Sequence, residues 1–207
     1  MDILHADGVG KRFGRSWIFR NVTISVESGD SLAITGRNGS GKSTLLKMLA
    51  GLLRPTSGSV SLALGDRQLD IDQHILNVGY AAPDLSFYKK MSAEENLQLV
   101  TRLRGDRPDD RRVQSLLEQV GLRGRGSDLV GGFSSGMQQR MRIAAAILHS
   151  PRVLILDEPF SNLDSEGALI VRSVIESQIE GGGILLLATN SAEEAALCRG
   201  SFAIPEG

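Results

Sequence analysis

Gly36-Arg37-Asn38-Gly39-Ser40-Gly41-Lys42-Ser43-Thr44 is the stretch on which the reading of this chain turns. It follows the apolar run Ser31 to Thr35 and precedes the apolar stretch Leu45 to Leu53, so a buried strand feeds a glycine-rich turn and the turn feeds a helix. Glycines admit backbone conformations that aim successive N–H groups at one anion, and the helix adds the positive end of its dipole. In this pattern Asn38, Gly39, Ser40, Gly41 and Thr44 are expected to wrap a chain of phosphates. Lys42 would reach the β and γ phosphates, and the Ser43 hydroxyl would ligate Mg²⁺.

A second chemical feature lies far along the chain. Val153-Leu154-Ile155-Leu156-Asp157-Glu158-Pro159 puts two carboxylates at the end of an apolar strand. Ligands of open α/β sheets bind at the carboxyl ends of strands, so the placement suits chemistry. Asp157 is a candidate Mg²⁺ ligand through water, and Glu158 a candidate to orient or deprotonate an attacking water.

Working outward, strand-like segments recur at Trp17 to Val26, Ser31 to Thr35, Ser59 to Leu64, Asn77 to Ala81, Val153 to Leu156 and Ile184 to Thr189. Three of these are nearly unbroken apolar runs, the pattern of parallel strands buried on both faces. Val113, Leu116, Leu117 and Val120 repeat at helical spacing after Asp109 and Asp110, and Ala168, Val171, Ile175 and Ile179 do so after Asp164. Between Ser92 and Ser150 only helices are expected, over Ala93 to Arg104, Asp110 to Val120 and Ser135 to His149. The chain thus reads as an α/β core, residues 1–90 and 151–207, with a mostly parallel sheet interrupted by a helical subdomain, residues 91–150.

Composition narrows the partners. Lys plus Arg number 23 and Asp plus Glu 24, so no basic excess points to nucleic acid, and none is expected as a partner. Cys198 is the only cysteine, which excludes an intrachain disulfide and a multi-cysteine zinc site, and it is expected to pack on a terminal helix. His5, His74 and His149 lack the spacing of a metal site and read as structural. Apolar runs fall well short of the roughly 20 residues a bilayer requires. Asp2, His5 and Asp7 stand where a secretion signal would be basic and then apolar, so a cytoplasmic location is expected.

Phe133-Ser134-Ser135-Gly136-Met137-Gln138-Gln139-Arg140 lies between the two motifs and resembles the signature segment of ABC ATPases, usually Leu-Ser-Gly-Gly-Gln followed by Gln-Arg. Ser134, Gly136, Gln139 and Arg140 match, whereas Phe133, Ser135 and Met137 depart. Independently of any resemblance, the serine and glycine make an N-cap for the following helix. The resemblance extends to Ser161-Asn162-Leu163-Asp164, which looks like the D-loop, and to Phe13, which occupies the place of the aromatic that stacks on adenine, with Trp17 as a rival.

That resemblance implies a phosphate-loop NTPase core with a small N-terminal antiparallel β part and an inserted helical subdomain. It also implies an ATPase using ATP and Mg²⁺. Ser134 and Gly136 would contact the γ-phosphate held by an opposite chain, so a head-to-tail pair would bury two ATP molecules, as a homodimer or with another ATPase subunit. The membrane-spanning permease would be a separate polypeptide, placing this chain on the cytoplasmic face.

Two departures bear on turnover. Pro83 stands where the family has a glutamine that touches Mg²⁺, with Asp84 next to it as a possible source of a carboxylate. Asn190 stands at the switch histidine, and its amide can hold a γ-phosphate oxygen but cannot change charge near neutral pH. A slow ATP-gated clamp is therefore one alternative function, and a soluble non-transport ABC ATPase is another.

Overall fold

The computed structural model describes residues 1–205, so residues 206 and 207 of the expected core lie outside the described residues. Alternating burial builds the first sheet: Leu4 and Ala6 of β1 (Ile3–Phe13) and Val22, Ile24 and Val26 of β2 (Ser16–Glu27) point to one interior. These strands pair antiparallel, and with β4 (Ser57–Leu64) and β5 (Arg67–Gln68) they form a sheet in the order β2-β1-β4-β5. Strand β1 was not anticipated as an element, because Asp7, Gly8, Gly10 and Lys11 break its apolar alternation and its register shifts between Ala6 and Arg12.

The second sheet is parallel, in the order β6-β7-β8-β3-β9, from β3 (Ser31–Thr35), β6 (Val78–Ala81), β7 (Val153–Asp157), β8 (Ile184–Thr189) and β9 (Gly200–Ala203). Every residue of β7 and β8 is buried, as their unbroken apolar runs require. The period of two sorts them: Val153, Ile155, Ile184 and Leu186 face α1 (Lys42–Leu49) and the antiparallel sheet, while Leu154, Leu156, Leu185 and Leu187 face the helical side. Edge strand β9 was missed, since Phe202 is its only large apolar side chain.

Caps set the helix starts. Ser92 and Glu95 form a reciprocal capping box at α3 (Ala93–Leu103), and Asp109 caps α4 (Asp110–Gln119), after the short α2 (Ile71–Leu76). Ser134 caps α5 (Ser135–Ile147) and Asp164 caps α6 (Ser165–Glu180). The helices end one or two residues before the expected Arg104, Val120 and His149, and α2 and α7 (Ala192–Ala195) are too short to show periodicity in sequence. Helices α3 to α5 enclose no core of their own: Leu97, Val113, Leu116 and Leu117 share one cluster with Leu154, Leu156, Val171 and Ile175.

Cys198 lies in the bend between α7 and β9 rather than on a terminal helix, and burial pushes its thiol up to about 11. His74 and His149 bond the carbonyls of Leu49 and Val78 at 2.9 and 3.2 Å, and among the described residues no group of three or more His, Cys, Asp or Glu side chains is placed to hold a metal ion. No described helix is long and apolar enough to cross a membrane.

Candidate functional site

Beyond the carboxyl end of β3, Gly36, Gly39 and Gly41 all adopt positive φ. At Gly41 the requirement is double: φ is 98°, and a Cβ would stand 2.4 Å from Ile18 Cγ2. Gly41 is also the N-cap of α1 and provides no side-chain acceptor, so the first N–H groups of that helix stay available to an anion. The cavity beside them has a volume of about 450 Å³ and is lined by Ile18, Asn38, Gly39, Gly41, Lys42, Ser43, Thr44 and Glu158. Ile18 was not legible in sequence, because only the packing of β2 on the loop brings it here.

Lys42 is buried, and its ammonium donates to the carbonyls of Gly36 and Arg37 at 2.9 and 3.3 Å. A buried ammonium needs acceptors, and a phosphate in the loop is a stronger one than a neutral carbonyl. Ser40 Oγ is likewise buried and has no partner.

Asp157 ends β7 at 2% exposure, and its Oδ1 has no hydrogen-bond partner. Burial raises its carboxyl pKa above the ordinary value, the Ser43 hydroxyl opposes that rise, the charges of Glu158 and Asp84 add to it, and Lys42 opposes it. A buried, unsatisfied carboxylate oxygen beside a hydroxyl is a donor set that fits a hard, oxygen-seeking cation such as Mg²⁺. The next residue, Glu158, has φ of 48° and donates its N–H to Ala188 O at 3.0 Å. A left-handed non-glycine residue costs roughly 1 kcal/mol, and here the turn brings Glu158 to the cavity wall.

Asn190 follows β8. The buried Thr189 hydroxyl donates to the Glu194 carboxylate and accepts the Ser191 N–H at 3.0 Å, which fixes this turn. From it Asn190 Nδ2 donates to Asn38 Oδ1 at 3.2 Å, joining the end of β8 to the phosphate loop.

Other expected residues lie outside the cavity lining. Phe13 ends β1 with 55% of its surface exposed and the Lys11 ammonium 5.2 Å from its ring centre. Its rival Trp17 is half-buried and engaged by the guanidinium groups of Arg12 and Arg20 at 5.7 and 4.4 Å, so Phe13 is the better presented ring. Ser134 accepts the Met137 N–H at 3.2 Å, and a Cβ on Gly136 would stand 2.9 Å from Asn162 O. The start of α5 is thereby packed on the loop that follows Glu158. Arg140 secures this contact by donating to Asp164 Oδ1 at 2.8 Å, the oxygen that also accepts the Gly167 N–H at the start of α6.

Comparison with known proteins bears on this geometry. The family model described as ABC transporter matches residues 19–161. The chain is 34% identical over 207 residues to an uncharacterised ABC transporter ATP-binding protein, YdbJ, of Bacillus subtilis, covering 99% of this chain and 67% of that protein. It is 37% identical over 176 residues to the bacitracin transport ATP-binding protein BcrA of Bacillus licheniformis, covering 84% of this chain and 57% of that one. The chain therefore spans between about half and two thirds of the length of these relatives. Among solved structures, one described as the ATP-binding subunit of an ABC transporter superposes with a TM-score of 0.86 at 27% identity, over 98% of this chain and 85% of that one.

Proposed function

We propose, since this chain belongs to the ABC transporter family, that it is the ATP-binding and hydrolysing subunit that powers a membrane transporter. The observation that carries this reading is the meeting of Lys42, Ser43 and Glu158 at one cavity, with the unsatisfied Asp157 carboxylate beside Ser43. Residues 1–90 and 151–207 serve as the catalytic core, and residues 91–150 as the helical subdomain.

ATP lies with its phosphates in the loop of Asn38, Gly39, Ser40 and Gly41, next to Ser43 and Thr44, and with adenine toward Phe13. Lys42 exchanges the carbonyls of Gly36 and Arg37 for β and γ phosphate oxygens. Ser43 and Asp157 would hold Mg²⁺, whose charge would offset that of the phosphates. Glu158 orients the attacking water and takes its proton. Asn190 holds a γ-phosphate oxygen once it lets go of Asn38.

Ser134 and Gly136 stand outside the cavity lining of their own chain, which supports a head-to-tail pair in which each chain completes the other's site. The pair is formed by two copies or with another ATPase subunit. An apolar groove of about 350 Å³ beside edge strand β6, bordered by Leu52, Tyr88, Leu99 and Leu103, supports docking to a separate permease at the cytoplasmic face. One observation favours a slower clamp: Asn190, already hydrogen-bonded to Asn38, has no titratable group to offer.

The test compares wild type with Glu158→Gln by calorimetry, phosphate release and light scattering. Glu158→Gln is expected to bind Mg-ATP, to lose hydrolysis and to accumulate as a dimer. Wild type that fails to bind ATP overturns the reading. A variant that hydrolyses like wild type removes Glu158 from its role.

A further inference from the structure

The loop leaving β6 carries a carboxylate to which the reaction above gives no part. Strands β6 and β7 pair in register from Val78 and Val153 to Ala81 and Leu156, so the chain beyond Ala81 leaves the sheet beside Asp157. Pro83 in that loop has no side-chain donor or acceptor. The next residue, Asp84, has one, and its Oδ2 is ion-paired with the Lys47 ammonium. Lys47 follows Ser43 by one turn of α1, and residues at that spacing share a helix face. The ion pair therefore holds Asp84 on the face of α1 that carries Ser43.

Further bonds pin the same loop from the opposite side. Arg142 Nε donates to Leu85 O at 2.9 Å and its Nη1 to Gln139 Oε1 at 3.1 Å. Gln139 in turn donates to Pro159 O at 3.1 Å, in the segment that follows Asp157. Two buried oxygens in this neighbourhood, Asp157 Oδ1 and Tyr80 Oη, lack partners.

We propose that Asp84 is a positioning residue for the Mg²⁺ that accompanies ATP, accepting a hydrogen bond from the ion's hydration water while Ser43 and Asp157 supply the nearer oxygens. Mg²⁺ gives up its waters reluctantly, so a carboxylate one water removed is a natural part of its site. The ion pair engages only Oδ2 of a side chain that is 59% exposed, which leaves the other oxygen for such a water. Lys47 also balances the charge that would otherwise repel a triphosphate. The inference rests on the reading of the cavity as an ATP site.

The experiment is calorimetric titration of wild type, Asp84→Ala, Asp84→Asn, Asp84→Glu and Lys47→Met with ATP, once with Mg²⁺ and once with EDTA. Asp84→Ala is expected to weaken Mg-ATP binding by about ten-fold and to leave metal-free ATP binding unchanged. Asp84→Asn should lose affinity in the same sense, Asp84→Glu should recover part of it, and Lys47→Met should produce a smaller metal-dependent loss. Equal losses with and without the metal in Asp84→Ala mean that the residue only holds the loop, and overturn the proposal; so does no loss at all. Wild type that binds ATP under neither condition overturns the nucleotide reading and this inference with it, whereas the other negative results leave that reading standing.

Discussion

Asn190 donates its amide to Asn38 at 3.2 Å, a bond that it would give up to hold a γ-phosphate in the reading proposed above. An amide holds an oxygen in place without changing charge, whereas an imidazole passes between hydrogen-bonding states near neutral pH. Asn190→His is therefore expected to raise kcat with little change in ATP affinity. If one transition-state hydrogen bond is what is missing, roughly 1 to 3 kcal/mol is involved, a gain of about five-fold to a hundred-fold. Measured at saturating Mg-ATP with the proposed membrane partner present, a slower Asn190→His enzyme would show that the asparagine is adapted to this site. Lys42 is the opposite case, a residue whose loss acts on binding. Lys42→Ala leaves the triphosphate without its charge-assisted partner, and affinity by calorimetry should fall by about ten-fold or more, from roughly 1.5 to 3 kcal/mol for such a bond. Unchanged affinity would refute the placement of the phosphates.

Helix α5 shows how a departure from the family pattern is absorbed at the level of an element. Phe133, in place of leucine, precedes the helix and is 6% exposed among Leu97, Val130 and Met141 in the core beneath the helical side. Phe133→Ala should cost about 3 to 5 kcal/mol, because the cavity left under a capped helix cannot collapse freely. Ser134→Ala removes only the bond from Met137 N–H, so about 1 kcal/mol is expected. Denaturant midpoints measure both, and a Ser134→Ala loss as large as that of Phe133→Ala would mean that the cap, not the core, anchors α5. Elements were legible in proportion to how locally they are determined. Ser31–Thr35 and Ile184–Thr189 were expected residue for residue, since burial on both faces writes an unbroken apolar run. Strands β1, β5 and β9 were not, because edge or interrupted strands draw their pairing from partners distant in sequence.

At the scale of the whole molecule, His149 joins the helical side to the parallel sheet through its bond to Val78 O, and burial, with Arg104 nearby, lowers its pKa from 6.5 to about 4. The unfolded chain therefore takes up this proton first as pH falls, so stability is full above about 6.5 and is lost progressively down to about 4. Allowing for solvent around a partly exposed ring, about 1 to 2 kcal/mol is involved. Urea unfolding at a series of pH values between these limits is expected to show this slope in wild type and a flatter one in His149→Gln. An identical slope in both would locate the acid sensitivity elsewhere.

The sequence by itself determined the phosphate loop, the acidic pair at the end of a buried strand, the N-caps and the family resemblance, because each is a short-range pattern in which neighbouring residues perform one physical task. Tertiary structure alone decided which distant groups meet. It set Asn190 on Asn38, Ile18 against Gly41, Asp84 on Lys47 and the start of α5 against Asn162, and it left Phe13 outside the phosphate cavity. Contacts of that kind depend on strand order and on how the antiparallel sheet and the helical layer pack on opposite faces of the parallel sheet, and no local spacing records that packing.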